Sequence, residues 1–196
     1  MKPHRGVLFV LDGPSAAGKT TLALALAKTV PNLVFVPRYT TRSRRAAESD
    51  SEEYVFVGAD EFQDMIGKDE FIEYRTYLFG MSYGIPWKRI NEILDTGRNA
   101  IGIINLDRVQ VLKSRLPEAI AILLEVSPEI LRRRLLMRGT NTEEQITERL
   151  ESARAVDRLR PYYDHIVKNE GDLAKTLQEL RGIIEQHVAK AIKDHA

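Results

Sequence analysis

Gly13, four further residues, then Gly18, Lys19 and Thr20 stand in the order G-x-x-x-x-G-K-T within DGPSAAGKTT, residues 12–21. Glycines at those two places let the backbone wrap closely round an anion with its N–H groups turned inward. A helix that starts directly after them adds the positive end of its dipole. The lysine supplies an ammonium for β- and γ-phosphates, and the threonine a hydroxyl for Mg²⁺. Gly13, Pro14, Ser15, Ala16, Ala17, Gly18, Lys19, Thr20 and Thr21 are therefore the expected ATP ligands, with Lys19 also catalytic and Thr20 on the metal. Asp12 or Asp107 could hold the metal's water ligands, or could equally be ordinary turn and helix-cap aspartates.

Two arginine-rich stretches offer cations for further phosphates. In RYTTRSRRAAESDSEEY, residues 38–54, Arg38, Arg42, Arg44 and Arg45 lie beside threonine and serine hydroxyls. Guanidinium groups grip phosphate oxygens in a bidentate fashion, so the segment suits an acceptor phosphate. In LRRRLLMRGTNTEEQITERL, residues 131–150, Arg134 and Arg138 share a helix face, Gly139 ends that helix, and Arg149 lies on the next. Arginines on a helix–loop–helix downstream of a phosphate loop have the makeup of a lid that closes over transferring phosphates.

These groups need a scaffold, and the apolar pattern supplies one. Val7–Leu11 reads as a buried strand before the glycine loop, and Leu22–Ala27 as a helix after it. Further strands are expected at Leu33–Val36, Tyr54–Val57, Ala100–Ile104, Ala119–Val126 and His165–Lys168. Helices are expected near Ala59–Gly67, Pro86–Thr96, Leu106–Leu116, Pro128–Met137, Thr142–Leu159 and Asp172–Ile192, with Pro86 and Pro128 in first turns. Alternation of this kind implies a three-layer α/β fold with a mostly parallel sheet. Residues 38–85 break the alternation with clustered short strands, as an inserted acceptor-binding subdomain would. The expected division of this single 196-residue domain is a core of 1–37, 86–137 and 160–196, an acceptor-binding subdomain of 38–85, and a lid of 138–159. Trp87, beginning a helix beside the acceptor segment, is expected to pack rather than to stack on a ligand.

Composition narrows the partners. Twenty-nine basic and 28 acidic side chains nearly cancel, so no global field for nucleic acid or a membrane surface arises. The absence of cysteine excludes disulfides and thiolate metal sites. Neither a leader pattern nor a membrane-length apolar run is present, and a cytoplasmic protein with small-molecule partners is expected. A homodimer is left open.

Taken together, these segments resemble the guanylate kinase family of P-loop nucleoside monophosphate kinases from about Val7 to Ile184. GPSAAGKTTL resembles that family's phosphate loop, and TTRSRRAAESDSEEYVF its acceptor-phosphate segment, which puts Arg42, Arg45, Glu48 and Tyr54 on the acceptor. DEFQDMIGKDEFIEY places Glu73 where the family's base-binding glutamate stands, and SYGIP makes Tyr83 a phosphate ligand. The lid match implies catalytic roles for Arg134, Arg138 and Arg149, and VKNEGDL puts Asn169 near the ATP base. The chain departs from the pattern where Arg38 takes the place of a guanine-contacting serine, Ile85 that of a hydroxyl, and Asn105 that of an aspartate. Those departures are similar to the ribose 1,5-bisphosphate kinases, a sister family. Arg38 and Asn105 thus join the acceptor-binding set. The resemblance implies ATP-dependent, Mg²⁺-assisted phosphoryl transfer to a phosphate, first of GMP and alternatively of ribose 1,5-bisphosphate. A non-enzymatic peptide-binding module of the same fold is the third reading, which the intact loop and lid arginines disfavour.

Overall fold

The computed structural model describes residues 5–44, 53–77, 80–105, 107–137 and 142–194. Its centre is a five-stranded parallel sheet built on β1 (Leu8–Asp12), β2 (Leu33–Phe35), β7 (Asn99–Ile103), β8 (Ile120–Glu125) and β9 (His165–Lys168), in the order β2-β7-β1-β8-β9. Every residue of β1 is buried, as a strand covered on both faces requires. Phe9 and Leu11 face one layer, which includes α1 (Lys19–Thr29), α5 (Pro128–Met137) and α7 (Leu173–Asp194). Leu8 and Val10 face the other, against α3 (Trp87–Leu94) and α4 (Val109–Arg115). Burial of each such side chain contributes about 1.5–3 kcal/mol, so the strand that carries the glycine loop is firmly seated.

A second, four-stranded sheet has the order β4-β3-β6-β5, from β3 (Arg38–Thr40), β4 (Tyr54–Phe56), β5 (Phe71–Thr76) and β6 (Ser82–Pro86). It carries α2 (Ala59–Gly67). The clustering expected within residues 38–85 is thus a sheet of its own, with β3 and β4 parallel and the other pairs antiparallel.

Several element ends differ from expectation, and two of the differences involve prolines. Pro86 is the last residue of β6 and the N-cap of α3, with extended backbone (ψ 139°), so the helix begins at Trp87 rather than at the proline. The expected helix over 142–159 is two pieces, α6 (Glu143–Arg154) and a 3-10 helix over Ala155–Tyr162 that contains Pro161. Proline has no N–H to donate, which disfavours a continuous α-helix there. Trp87 packs against the α3–α4 core cluster and carries the Arg115 guanidinium 5.3 Å above its ring.

Candidate functional site

β1 lies between β7 and β8, with Leu11 opposite Ile103 and Asp12 opposite Leu123. The loop of residues 13–18 therefore leaves the carboxyl end of the central strand, where open α/β sheets bind ligands. Gly13 has φ 142°, and a Cβ there would stand 2.7 Å from the Leu124 carbonyl oxygen. Gly18 has φ 93° and caps α1 without any side-chain hydrogen bond, and no acidic residue occupies the first turn of that helix. An anion is the group that such an uncapped, dipole-positive end accepts. Lys19, at the first position of α1, bends over the loop, its Nζ donating to the carbonyls of Gly13 at 2.5 Å and Pro14 at 2.9 Å. Thr20 follows on the same turn and Thr21 is exposed.

Asp12 and Asn169 brace this loop from behind. The Gly13 N–H donates to Asp12 Oδ1 at 2.6 Å, and the Ala17 N–H to the Pro14 carbonyl at 3.1 Å. Two amides of the expected cradle are thus spent on the loop's own shape. Asp12 Oδ2 accepts from the Tyr163 hydroxyl at 2.5 Å, and burial lifts this carboxyl to about 6. Asn169, expected beside the ATP base, donates its Nδ2 hydrogen to the Ala17 carbonyl at 2.8 Å and accepts at Oδ1 from Thr176 at 3.2 Å. Its side chain fixes the loop.

The donor set suits a Mg²⁺ that arrives with its phosphates and takes only one or two protein oxygens. The Thr20 hydroxyl is the oxygen expected there from the sequence. Asp12 has both oxygens engaged, whereas Asp107 is exposed beyond its pairs with Arg75 at 3.1 Å and Arg108 at 3.8 Å.

Two of the arginines expected to close over the phosphates reach the loop from two helices. Arg134, on α5, donates to the carbonyls of Asn169 at 2.9 Å and Ala16 at 3.5 Å. Arg149, on α6, donates to the Ser15 hydroxyl at 2.5 Å. Both guanidiniums therefore hang over residues 15–17, although 118 and 134 positions separate them from their loop partners. Arg138 lies outside the described residues.

A third group of residues meets between the two sheets. Glu73, on β5, is 1% exposed, and the Asn105 amide just past β7 donates to both its oxygens, at 3.1 and 3.3 Å. Burial raises the Glu73 carboxyl to about 7, against the lowering effect of Asn105 and of the Arg38 charge. Arg38, on β3, donates to Asn105 Oδ1 at 3.3 Å and to the Tyr54 hydroxyl at 3.0 Å. Its guanidinium lies 5.3 Å from the rings of both Tyr54 and Tyr83. Arg42 lies over Tyr54 at 5.1 Å, while Arg45 and Glu48 fall outside the described residues.

Three side chains here were not anticipated. Tyr77 reaches Asn105 Oδ1 with its hydroxyl at 3.5 Å, Arg75 carries its guanidinium 4.8 Å over Tyr77, and the Arg108 charge acts on Glu73. Glu73, Arg75 and Tyr77 alternate along FIEYRTY, the period that puts residues on one face of a strand. That was the available signal.

The family model described as guanylate kinase matches residues 5–187. A guanylate kinase of Symbiobacterium thermophilum is 34% identical over 195 residues, covering 98% of this chain and 90% of that protein. One from Myxococcus xanthus is 37% identical over 181 residues, covering 91% and 86%. Among solved structures, a guanylate kinase from Anaplasma phagocytophilum superposes with a TM-score of 0.73 at 26% identity, over 95% of this chain and 88% of the other.

Proposed function

This chain belongs to the guanylate kinase family, and on that premise we propose that it transfers the γ-phosphoryl group of ATP to the phosphate of GMP, yielding ADP and GDP. The observation that carries the acceptor is Glu73: a carboxylate buried at the junction of two sheets, whose two oxygens already accept N–H donors. Guanine presents two adjacent donors, N1–H and the 2-amino group, and a buried hydrogen-bonding site discriminates strongly for such an edge.

Transfer between two anions needs positioning and charge neutralisation rather than covalent chemistry. An oxygen of the acceptor phosphate attacks the γ-phosphorus, and the bond to the β–γ bridging oxygen breaks. No general base is required, since the attacking oxygen is already anionic. Lys19 and the loop amides hold the triphosphate; Arg42, Arg45, Tyr54 and Tyr83 hold the acceptor phosphate, with Glu48 elsewhere in the acceptor site. Arg134, Arg138 and Arg149 spread the charge that develops on the transferring group. The Thr20 hydroxyl would help to hold a Mg²⁺, which would supply positive charge against the triphosphate. We assign 38–85 to acceptor binding and 138–159 to the lid, on a core of 1–37, 86–137 and 160–196; the separate four-stranded sheet supports the first assignment. Among the described residues no helix is long and apolar enough to cross a membrane. We place the reaction in the cytoplasm, beside its nucleotide pools.

The deciding assay couples ADP formation to a panel of GMP, dGMP, AMP, UMP and ribose 1,5-bisphosphate. ADP formed with GMP, and not with AMP or UMP, is the expected result. Turnover of the bisphosphate alone would replace the acceptor, and turnover of none, with capture of a peptide instead, would make the chain a binding module.

Arg149→Ala should lower kcat by about 10²- to 10³-fold, the scale of one removed charge-stabilising donor, with the GMP KM changed far less. A raised KM at unchanged kcat would place Arg149 in ground-state binding.

The pH profile tests Glu73. A neutral carboxylic acid offers guanine a donor where an acceptor is needed. With the free-enzyme carboxyl raised to about 7, kcat/KM for GMP should fall as pH drops below that value. Asn105 favours the ionised form, so Asn105→Ala should raise the pKa further and move this limb to higher pH. A limb that stays in place would show that it belongs to the nucleotides' phosphates.

A further inference from the structure

The chain turns sharply after β7, where the Arg108 N–H donates to the Asn105 carbonyl at 3.0 Å and Asp107 takes a positive φ of 78°. That turn sits at the seam of the two half-sites. β7 runs beside β1, which leads into the phosphate loop, while Asn105 and Asp107 bond to Glu73 and Arg75 of β5. Charges of the turn are felt on either side: that of Asp107 raises the Asp12 carboxyl, and that of Arg108 lowers the Glu73 carboxyl. Arg108 Nε is buried there, and among the described residues it is the one buried side-chain nitrogen or oxygen without a hydrogen-bond partner. Asp107 Oδ1, at 3.8 Å, is too far to serve as one. A buried donor left without an acceptor is costly, and a cationic one more so.

We propose that Arg108 is a further catalytic residue, whose guanidinium donates to oxygens of the phosphoryl group as it passes from ATP to the acceptor. An anionic oxygen is the partner that a guanidinium edge sunk beside a phosphate loop calls for, and Nε with one Nη forms a fork that two phosphate oxygens fit. Lys19, Arg134 and Arg149 all gather on the loop of residues 13–17 and its flank at Asn169, in the ATP half. Arg108 comes instead from the turn between the halves, and meets the group from the acceptor side. While the bond to the β–γ bridging oxygen breaks and an acceptor oxygen bonds to phosphorus, negative charge is spread over the equatorial oxygens, where a fixed cation lowers the barrier. The guanidinium stays charged throughout, so no proton passes through it.

The inference rests on phosphoryl transfer at this site, and the test separates the two. Arg108→Ala should lower kcat by about 10²- to 10³-fold with the KM for ATP and for the acceptor little changed, as for a contact made in the transition state. Free guanidinium ion, added well below denaturing concentration, should restore part of the lost kcat in this variant and none in Lys19→Ala, because it refills only a guanidinium-shaped space. Arg108→Lys, which keeps the charge but not the fork, should lower kcat at an unchanged melting temperature, and this carries the test even where the alanine variant fails to fold. Full kcat in both variants would overturn the proposal. So would a loss that free guanidinium leaves untouched and that comes with a lower melting temperature, which would make Arg108 a strut of the turn after β7. No transfer to any acceptor by the unaltered protein would instead overturn the reading beneath it.

Discussion

Lys19→Ala lowers kcat by about 10³-fold or more and leaves the fold in place. The size follows from what the ammonium faces: removal of a cation fixed on transferring phosphates costs on the order of 4 kcal/mol of barrier, at 1.36 kcal/mol per tenfold. The retained fold follows from how little else it holds. In the free protein Nζ makes part-buried hydrogen bonds to the carbonyls of Gly13 and Pro14. Loss of such bonds costs about 1 kcal/mol against a domain stability of roughly 5–15. Steady-state rates with a thermal melt by circular dichroism check both halves. Activity within tenfold of the unaltered protein would remove the loop from the mechanism.

The second large effect is expected at Glu73→Gln. The carboxamide turns one of two acceptors into a donor that opposes the donors of guanine, so kcat/KM for GMP should fall by about 10³-fold while the ATP KM is kept. Stability should move the other way above neutral pH. The Glu73 carboxyl has a folded pKa raised to about 7, from an ordinary 4.5, because burial disfavours its charge. The folded state then binds the proton more tightly than the unfolded one between those values, so the charged carboxylate costs stability in full above 7, and the cost fades on acidification. Glutamine carries no such cost. A urea titration at pH 8 should find the variant no less stable, and a stability loss that grows with pH would contradict the burial argument.

How much of this could be read from the chain depends on how local each feature is. The nucleotide loop was legible because strand, glycines, lysine and helix start are consecutive, from Leu8 to Thr29. The main-sheet strands were legible as apolar runs, since both of their faces are covered. The acceptor-phosphate segment was legible from its clustered arginines, but the group around Glu73 only by resemblance. Arg38, Glu73 and Asn105 come from three strands or strand ends, and nothing in their spacing says that they touch. The partnership of Asn169 with the Ala17 carbonyl, and of Asp12 with Tyr163, was hidden for the same reason: 152 and 151 positions separate the partners. The break at Ala155, where α6 gives way to a 3-10 helix, had Pro161 as its one local sign.

The central claim is a transfer of one phosphoryl group between two nucleotides held at residues 13–20 and around Glu73. ATP labelled in its γ-phosphoryl group, incubated with the protein, Mg²⁺ and GMP, tests it most directly. The label should appear in the β-phosphate of GDP, in one-to-one proportion with ADP, and Lys19→Ala should abolish that transfer. Label released as inorganic phosphate whether or not GMP is present, or left in ATP with GMP and carried to ribose 1,5-bisphosphate instead, would contradict it.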